Sequence, residues 1–588
     1  MSTALEGLDD RQREAATALR GPVCVLAGAG AGKTRVITHR IAHGVDTGAY
    51  SPGRVMAVTF TTKAAGQMRG RLRALGVEGV AARTFHAAAL AQLNFFWPTV
   101  AGDSAPTIVD NKVRLLAHAA DGIGLDLDTP TLRDVAAEIE WRKVTMRSID
   151  AYAADRPSGV GRLDVGRVVD LQRAYEKLKD ERRQLDFEDV LLACAGMLES
   201  EPRVVQAVRE QYRHFTVDEF QDVSPLQHRL LQLWLGDRRD LCVVGDVSQT
   251  VYSFAGADPS FLLDFDKRHP DARVVRLETS YRCAPDILEV ANELMRGRPG
   301  ALRLHAAAPV EGRGPVPQVT AYPDDAAEAR GVAAAIAAQV RGGADPRDIA
   351  VLYRSHAQSA ALLGALADEQ IPATVLGGRR FFDMPEVRQA VLALRGASVA
   401  PMSAGFVETV RDVLRSLGLT DDPPPAGGAV RDAWEARRAI LRLAEEAPEH
   451  TTLRTFTDDL ISRAKDQHEP AMRTVTLATL HAAKGLEWDH VHLVGVCEGL
   501  LPISYATTFE QIDEERRLAY VGITRAVRTL SVSWSRGGDV RGERSPSRFL
   551  EEIGTRTLRA VDAGSSAGGA MRPAGAAIAK ARSRRPGR

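Results

Sequence analysis

The clearest chemical signal in the sequence is a run of small residues that ends in lysine and threonine. AGAGAGKT, residues 27–34, follows a short apolar run and opens a helical pattern. Small residues let backbone N–H groups approach phosphates, and the N-terminus of a helix favours anions. We interpret the segment as a phosphate loop, in which Lys33 reaches the β- and γ-phosphates and Thr34 holds Mg²⁺. The loop comprises Ala27, Gly28, Ala29, Gly30, Ala31, Gly32, Lys33 and Thr34.

Two adjacent acids follow a second apolar run, in VDEFQDVSPLQ at residues 217–227. Asp218 would bind Mg²⁺, and Glu219 would activate the attacking water. Adjacent acids at the end of a strand are usually only solvated, so it is their pairing with the phosphate loop that favours a catalytic interpretation. A third apolar run leads into VGDVSQTVYSFAGA, residues 244–257. This position would bring Gln249 close to a γ-phosphate.

Aromatic and basic residues supply further candidates, each with an ordinary structural alternative. Tyr252 and Phe254 are suited to stacking on bases, but either could equally be a core aromatic. Arg282 follows Tyr281 in LETSYRCAPDIL, and Arg525 lies in EERRLAYVGITRA. These arginines could stabilise transferred phosphate or could be surface residues of an arginine-rich chain. In the first case, a nucleotide would bind in a cleft between two cores.

Other nucleotide-binding classes fit poorly. A GTPase should carry an NKxD base-reading motif, and the Asn111-Lys112 pair continues with Val-Arg instead. Small-molecule kinases are usually much shorter than 588 residues.

Short β-branched runs alternate with helical stretches, which predicts parallel α/β sheets buried on both faces. The runs form two groups along the chain, and we expect two sheets. The first group is 23–28, 55–60, 214–220 and 241–246, and the second is 274–278, 349–354, 373–377, 475–481, 490–496 and 529–535. Two charged helical stretches, about 88–190 and 396–470, look like insertions into these cores.

The bulk composition argues for an ordinary globular protein. The chain has 76 basic and 76 acidic residues, so a nucleic-acid site would have to be a local groove. Five widely spaced cysteines argue against a disulfide scaffold or a cysteine zinc site. We see no transmembrane segment and no signal peptide, and we expect a cytoplasmic, nucleoid-associated protein without a membrane partner.

Taken in order, the motifs resemble those of superfamily 1A helicases of the UvrD/Rep/PcrA type, over residues 5–555. Within that family the chain looks most like the short second UvrD paralogue of high-GC bacteria. The segments that carry the resemblance are GLDDRQREAA, AGAGAGKT, AVTFTTKAAGQM, ARTFHA, LDFEDVL, VDEFQDVSPLQ, VGDVSQTVYSFAGA, LETSYR, LATLHAAKGLEWDHV and EERRLAYVGITRA.

The resemblance implies a fold of two RecA-like parallel-sheet cores, each with a helical insertion. The implied domains are core 1 (1A, residues 1–87 and 191–276), its insertion (1B, 88–190), core 2 (2A, 277–395 and 471–558), a shortened insertion (reduced 2B, 396–470) and a disordered basic tail (559–588).

The resemblance also implies residue roles. Gln12 would read adenine, Tyr281 would stack on it, Arg35 would flank the nucleotide and Glu487 would contact the ribose. Lys33, Asp218, Glu219, Gln249, Arg282 and Arg525 form the implied catalytic set, with the two arginines at the γ-phosphate. The implied DNA-binding set is Thr59, Phe60, Lys63, Thr84, Phe85, His86, Tyr252, Phe254, Thr479 and His481.

The implied activity is that of a DNA-stimulated ATP hydrolase, an ATP- and Mg²⁺-dependent 3′→5′ helicase acting in DNA repair or replication. Its partners would be single-stranded DNA, single/double-strand junctions and a repair or loading protein. Ala255 stands where many relatives carry arginine, so one phosphate or DNA contact of the family is not expected here. The shortened insertion keeps an alternative open. In that alternative the protein is a translocase that strips proteins from single-stranded DNA and unwinds poorly without a partner.

Overall fold

A computed structural model describes residues 3–307, 315–376, 381–398, 405–422, 424, 429–448, 450–466, 474–537 and 543–562. The chain forms two compact units. Unit 1 is Met1–Tyr281 with Gly297–Ala307, and unit 2 is Arg282–Arg296 with Ala308–Arg588. Within the described ranges, no helix has the length and apolar character needed to cross a bilayer.

Unit 1 alternates strands and helices. Its strands are β1 (Val23–Ala27), β2 (Val55–Thr59), β3 (Ala81–Thr84), β4 (Thr107–Ile108), β5 (Gln184–Leu185), β6 (His214–Val217), β7 (Leu241–Gly245), β8 (Arg273–Leu277), β9 (Thr279–Ser280) and β10 (His305–Ala306). Its helices are α1 (Asp10–Thr17), α2 (Lys33–Asp46), α3 (Thr62–Ala74), α4 (Phe85–Ala101), α5 (Lys112–Gly122), α6 (Thr129–Val144), α7 (Ile149–Asp155), α8 (Val165–Glu181), α9 (Phe187–Ser200), α10 (Pro202–Gln211), α11 (Pro225–Leu235), α12 (Ser260–Leu263) and α13 (Phe265–Arg268).

Unit 2 repeats the pattern. Its strands are β11 (Gln318–Tyr322), β12 (Ile349–Tyr353), β13 (Ala373–Leu376), β14 (Val475–Thr479), β15 (Trp488–Leu493), β16 (Ala526–Ser535) and β17 (Arg559–Asp562). Its helices are α14 (Pro285–Met295), α15 (Asp325–Arg341), α16 (Ser359–Asp368), α17 (Pro385–Ala397), α18 (Phe406–Ser416), α19 (Ala429–Glu445), α20 (Leu453–Asp466), α21 (Phe509–Ile523) and α22 (Arg548–Ile553).

Each unit is built on one large parallel sheet, which confirms the predicted fold class. Sheet 1 has the order β3-β2-β6-β7-β1-β8, and sheet 2 has the order β13-β14-β12-β15-β16-β11-β17. Every pairing in both sheets is parallel. Successive β1 residues point to opposite faces: Val23 and Val25 belong to one buried cluster and Cys24 to another. Helices therefore cover both faces of sheet 1.

Two predictions about the strands are wrong. The run at 274–278, grouped with the second sheet, forms β8, which pairs with β1 in sheet 1. The basic tail does not begin at 559, because β17 pairs with β11 at the edge of sheet 2. The rest of the predicted tail, residues 563–588, lies outside the described residues.

The insertions differ from the prediction mainly at their edges. Residues 88 and 190 fall inside α4 and α9, whose buried residues pack in the core of sheet 1. Residue 396 falls inside α17. A continuous helix links core and insertion at these three places, so no loop marks the boundary. The first insertion has its own core, formed by α5–α8, and a short ladder of β4 with β5.

Candidate functional site

The candidate residues of unit 1 gather at the edge of sheet 1 where its strands end. Because the sheet is parallel, the residues that follow β1, β2, β3, β6 and β7 emerge at one edge. That edge carries the phosphate loop, Thr59 to Lys63, Thr84 to His86, the Asp218-Glu219 pair, and Gln249. Ligands of open parallel sheets bind at this edge.

The phosphate loop has the backbone that its glycines allow. Gly30 and Gly32 have φ of 74° and 83°, in the left-handed region. Gly32 immediately precedes α2, so the helix begins at Lys33. Glycine is favoured at 32 because its φ is positive, and a Cβ there would also come within 2.8 Å of Gln12 Nε2, which would have to shift. The loop alanines, Ala27, Ala29 and Ala31, are buried.

The predicted adenine-side residues converge on Asp9, which sequence reasoning missed. The Gln12 side-chain amide donates to the Ala31 carbonyl (3.1 Å), and its oxygen accepts from the Asp9 N–H (3.3 Å). The Tyr281 hydroxyl donates to the Asp9 carboxylate (2.5 Å), and the Tyr281 N–H donates to the Gly30 carbonyl (2.9 Å). Half of Tyr281 remains exposed, so its ring is free to stack.

Arg35, the predicted flanking residue, donates from its guanidinium to the Gly7 carbonyl (2.7 Å). This bond joins the start of α2 to the turn before α1. Gly7, Asp9 and Gln12 therefore lie along one side of the phosphate loop.

The acidic pair lies against the loop lysine. Lys33 Nζ is 3.3 Å from Glu219 Oε2. Burial alone would lower the Lys33 pKa, but the carboxylates of Glu219, Asp246 and Asp218 outweigh it and raise that pKa above its usual value. Burial and the neighbouring Glu219 charge raise the pKa of Asp218 to about 7, although Lys33 opposes the shift.

A buried hydrogen-bond network fixes Glu219 and Gln249. The Gln221 amide donates to Glu219 Oε2 (2.5 Å), and its oxygen accepts from the Asp246 N–H (3.0 Å). The Gln249 amide donates to Asp246 Oδ2 (2.7 Å). The structure therefore joins the second and third predicted motifs through Gln221 and Asp246, neither of which was singled out from sequence. A Gln two residues after the acidic pair was the available signal.

The donor set fits a magnesium nucleotide. Thr34 and Asp218 offer a hydroxyl and a carboxylate, the oxygen ligands that Mg²⁺ accepts beside phosphate oxygens. Gly30 and Gly32 leave room for phosphate against the backbone, and Lys33 supplies a cation.

Three aromatic residues line the same edge. The Phe60 and Tyr252 rings are 6.3 Å apart and nearly parallel, at 5°. Tyr252 and Phe254 are 6.2 Å apart. Phe254 is 63% exposed, and Lys63, near the start of α3, is also exposed. One exposed ring and two partly buried rings beside a lysine fit a single-strand groove.

The three residues of the neighbouring Thr84–His86 segment have different structural environments. The Thr84 hydroxyl accepts from the Ala87 N–H (3.1 Å) and caps α4. Phe85 belongs to the implied DNA-binding set, but its ring is buried in the core against Trp234 and is not exposed to a DNA strand. The His86 ring stacks on Phe187 at 4.0 Å, and Phe187 is 57% exposed. Phe187 is therefore a further residue missed from sequence, although it lies in the motif LDFEDVL. Thr59 is buried at the end of β2.

Unit 2 brings three of its predicted nucleotide residues together at the amino ends of β15 and β16. Arg282 Nε lies 2.5 Å from Glu487 Oε2. Arg525 is buried, and its guanidinium donates to the carbonyls of Val521 (2.9 Å) and Leu486 (3.0 Å). Leu486 and Glu487 belong to one turn, so both arginines are tied to the same segment.

The predicted DNA residues of unit 2 lie at the opposite edge of sheet 2. Thr479 ends β14, and its hydroxyl accepts from the Ala482 N–H (3.3 Å). Burial, with nearby Arg354 and Lys484, lowers the pKa of His481 to about 3, so this histidine is neutral at physiological pH. Sheet 2 therefore separates the predicted nucleotide residues from the predicted DNA residues.

Two family descriptions match the chain in succession. The UvrD/REP helicase N-terminal domain matches residues 8–270. The UvrD-like helicase C-terminal domain matches residues 275–399 and 436–537. The chain belongs to the UvrD/Rep helicase family. The resemblance found in the sequence is thereby confirmed.

Individual relatives align over nearly the whole chain. The ATP-dependent DNA helicase UvrD2 of Mycobacterium tuberculosis H37Rv is 47% identical, with 94% of this chain and 82% of the relative covered. DNA helicase II of Escherichia coli K12 is 29% identical, with 94% and 88% covered. The ATP-dependent DNA helicase PcrA of Leuconostoc citreum is 28% identical, with 96% and 87% covered.

Proposed function

We propose that this UvrD/Rep-family helicase hydrolyses ATP with Mg²⁺, moves 3′→5′ on single-stranded DNA and unwinds duplex DNA in repair or replication. The enzyme class itself, an ATP-dependent DNA helicase, follows from the family and its relatives. The observation that carries the proposal is the network at the end of sheet 1. It holds Lys33, Glu219 and Gln249 together through Gln221 and Asp246.

In the proposed reaction, Mg²⁺ held by Thr34 and Asp218 neutralises phosphate charge when bound. Lys33 and the loop N–H groups bind the β- and γ-phosphates, and the Glu219 carboxylate accepts a proton from the attacking water. Arg282 and Arg525 act on the γ-phosphate. Arg282 already pairs with Glu487 and Arg525 already donates to Leu486, so a phosphate oxygen would compete with these contacts or use the remaining guanidinium N–H groups.

The proposed DNA track is sequence-independent. Phe60, Tyr252, Phe254 and Phe187 would stack on bases, and Lys63 would contact backbone phosphate. Stacking contributes about 1–3 kcal/mol per base and tolerates every base. Single-stranded DNA and its junctions with duplex are therefore the proposed substrates, with a repair or loading protein as partner. The proposed place of action is chromosomal DNA in the cytoplasm.

One observation favours the second candidate, a translocase that displaces proteins but unwinds poorly alone. The insertion helices α18–α20 share a buried cluster with α17 and with Ala360, Phe381 and Phe382. Arg442 of α19 also pairs with Asp325 at 3.0 Å. Insertion helices packed onto the rest of unit 2 in this way have less freedom to grip a duplex independently.

The test is strand displacement by the purified full chain with ATP and Mg²⁺, on duplexes tailed at the 3′ or the 5′ end. The proposal expects unwinding of 3′-tailed duplexes only. The same protein should also be tested for removing a bound protein from single-stranded DNA. Displacement of the protein with no unwinding would favour the translocase. Unwinding from the 5′ tail alone would contradict both candidates.

A further inference from the structure

The edge of sheet 1 opposite the phosphate loop carries a pocket rich in arginine. It lies where β2, β6 and β7 begin and has a volume of about 580 Å³. We call it the arginine pocket; its residues are Arg20, Ala49, Ser51, Arg54, Arg213, His214, Arg238, Arg239 and Asp240. In a chain with no formal net charge, five arginines around one cavity are an uneven distribution.

The acids of the pocket are already engaged. Asp240 accepts from Arg20 (2.9 Å) and from the Gly21 N–H (2.8 Å), and His214 Nδ1 lies 3.3 Å away. Burial would raise the Asp240 pKa, but hydrogen bonds from His214, Gly21 and Arg20 hold it well below its usual range. At the rim, Arg239 pairs with Asp271. These pairings leave positive charge in excess.

That excess rests mainly on Arg54 and Arg213. Both side chains are exposed, and within the described part of the chain neither forms an ion pair or a side-chain hydrogen bond. Burial, followed by the like charges of Arg213, Arg209 and Arg54, lowers the pKa of Arg238. The guanidinium groups therefore repel one another, and a bound anion would relieve that repulsion.

We propose that the arginine pocket binds backbone phosphates of duplex DNA, as a second nucleic-acid site remote from the nucleotide edge of unit 1. Guanidinium groups match phosphate oxygens in a bidentate manner. A single-strand site would need exposed rings for stacking. Among the described residues that line the pocket, the only ring is His214, which is buried and packs on Tyr50 at 4.2 Å. An acidic peptide would need apolar anchoring surface, and of the same described residues only Ala49 supplies it.

The site goes beyond the proposed motor and does not depend on it. Its phosphate contacts would hold the enzyme on duplex DNA while the strand-end loops at the other edge of sheet 1 act on a single strand. Loss of the pocket should therefore change duplex affinity and leave ATP hydrolysis stimulated by single strands intact.

The test compares the full chain with its Arg54→Ala/Arg213→Ala variant. Binding of a blunt duplex is measured by fluorescence anisotropy across a salt series. We expect about tenfold weaker binding at low salt and a log–log salt slope about 1–2 units less negative, because each lost phosphate contact accounts for about 0.9. The control variant, Arg203→Ala/Arg395→Ala, removes the same charge at exposed sites outside the pocket and should bind duplex as the unchanged chain does.

ATPase stimulated by a short oligothymidylate is measured on all three proteins. Unchanged ATPase in the pocket variant separates the site from the motor and shows that the variant folds. A motor that is inactive in every protein would contradict the proposed function but not the pocket. Equal duplex binding in all three proteins would overturn the pocket proposal. Pyrophosphate and oligoglutamate are tested as alternative ligands of the same three proteins. If the pocket variant loses binding of either of these and keeps its duplex binding, the proposal is also overturned, because the pocket would then bind a free phosphate compound or an acidic peptide.

Discussion

Glu219 occupies a backbone conformation that its own side chain does not favour. Its φ is 51°, in the left-handed region, which is uncommon for a residue other than glycine. The following Phe220–Asp222 turn and the Gln221 hydrogen bond hold the carboxylate beside Lys33. Backbone strain of this kind is concentrated at active sites, where surrounding contacts maintain it. The position therefore has the properties expected of a preorganised base.

Glu219→Gln should reduce DNA-stimulated ATP turnover by about 10²–10⁴-fold, the usual contribution of a general base. Glutamine keeps the size and a hydrogen-bond acceptor but cannot take the proton. Steady-state hydrolysis and equilibrium ATP binding are the two measurements, and binding should persist. The control is Glu210→Gln, an exposed residue of α10. Unchanged turnover in the Glu219 variant would remove the residue from the catalytic set.

Glu328 offers a test of buried charge away from the motor site. Burial raises its pKa from 4.5 to about 7, against hydrogen bonds from Ser533 and the Gly495 N–H. In the unfolded chain the group loses its proton near its ordinary pKa, so between these values the folded state binds more protons. Its contribution to stability therefore falls as the pH rises towards about 7 and is least favourable above that.

Glu328→Gln should stabilise the protein at about pH 8 by roughly 2–3 kcal/mol more than at about pH 4.5, because the amide never ionises. Its oxygen can still accept from Ser533 and Gly495. Denaturant unfolding of unit 2 at the two pH values measures the difference. Glu369→Gln, at an exposed site after α16, should show no such pH dependence. Parallel pH profiles for the Glu328 variant and the unchanged chain would contradict the argument.

Sequence patterns located the buried central strands and the edge strands β8 and β13, but missed three other strands at or near the sheet edges. The runs that formed β1, β2, β7 and β12 are mostly apolar and buried on both faces, which is what a covered parallel strand requires. The missed strands β3 (AART), β11 (QVTAY) and β17 (RAVD) lie at or near sheet edges and mix polar with apolar residues. β8 was assigned to the wrong sheet because a strand's own residues do not specify its partner.

The same limit applies to the site. Motif spacing located the residues around the phosphate loop, since strand ends of one parallel sheet must converge. It did not show that the Phe85 ring packs in the core or that Asp9 links Gln12 to Tyr281. Those outcomes depend on side-chain direction and on contacts between residues distant in the chain.

A buried ion cluster ties two helices of the first insertion to the start of α9, whose later residues pack in the core of sheet 1. Lys143 of α6 and Lys179 of α8 both contact Asp186 and Asp189 at the start of α9, and both also pair with Glu176. Burial alone would lower the Lys179 pKa, but the surrounding carboxylates raise it strongly. Phe187, which stacks on His86, lies between the two aspartates, so the cluster positions that exposed ring.

Lys179→Met should destabilise unit 1 by about 3–5 kcal/mol, because it leaves buried carboxylates with too little positive charge. The control is Lys177→Met on the same helix, whose side chain is 78% exposed and pairs loosely with Glu181 at 3.8 Å. That change should cost about 0.5 kcal/mol or less. Thermal and denaturant unfolding of both variants supply the comparison. Equal stability of the two would show that the cluster adds no net stabilisation.

Acidic and basic residues of the full chain balance at 76 each, so attraction to DNA must come from local regions. The sequence from 571 to 588 has six basic residues and no acid. We expect its removal to weaken binding of single-stranded DNA and to make the log–log salt slope about 2–4 units less negative, at roughly 0.7 per phosphate contact. ATP turnover at saturating DNA should not change, because no candidate catalytic residue lies there.

Deleting residues 563–570 instead is the matched control, because AGSSAGGA shortens the chain without removing charge. A loss of affinity that follows the charged deletion, and not this one, would identify counterion release as the cause. Combining the tail deletion with Arg54→Ala/Arg213→Ala separates the two basic regions. If each contacts its own phosphates, their effects on the duplex salt slope add. Equal slopes with and without residues 571–588 would leave the arginine pocket and the strand-end loops to carry the electrostatic attraction alone.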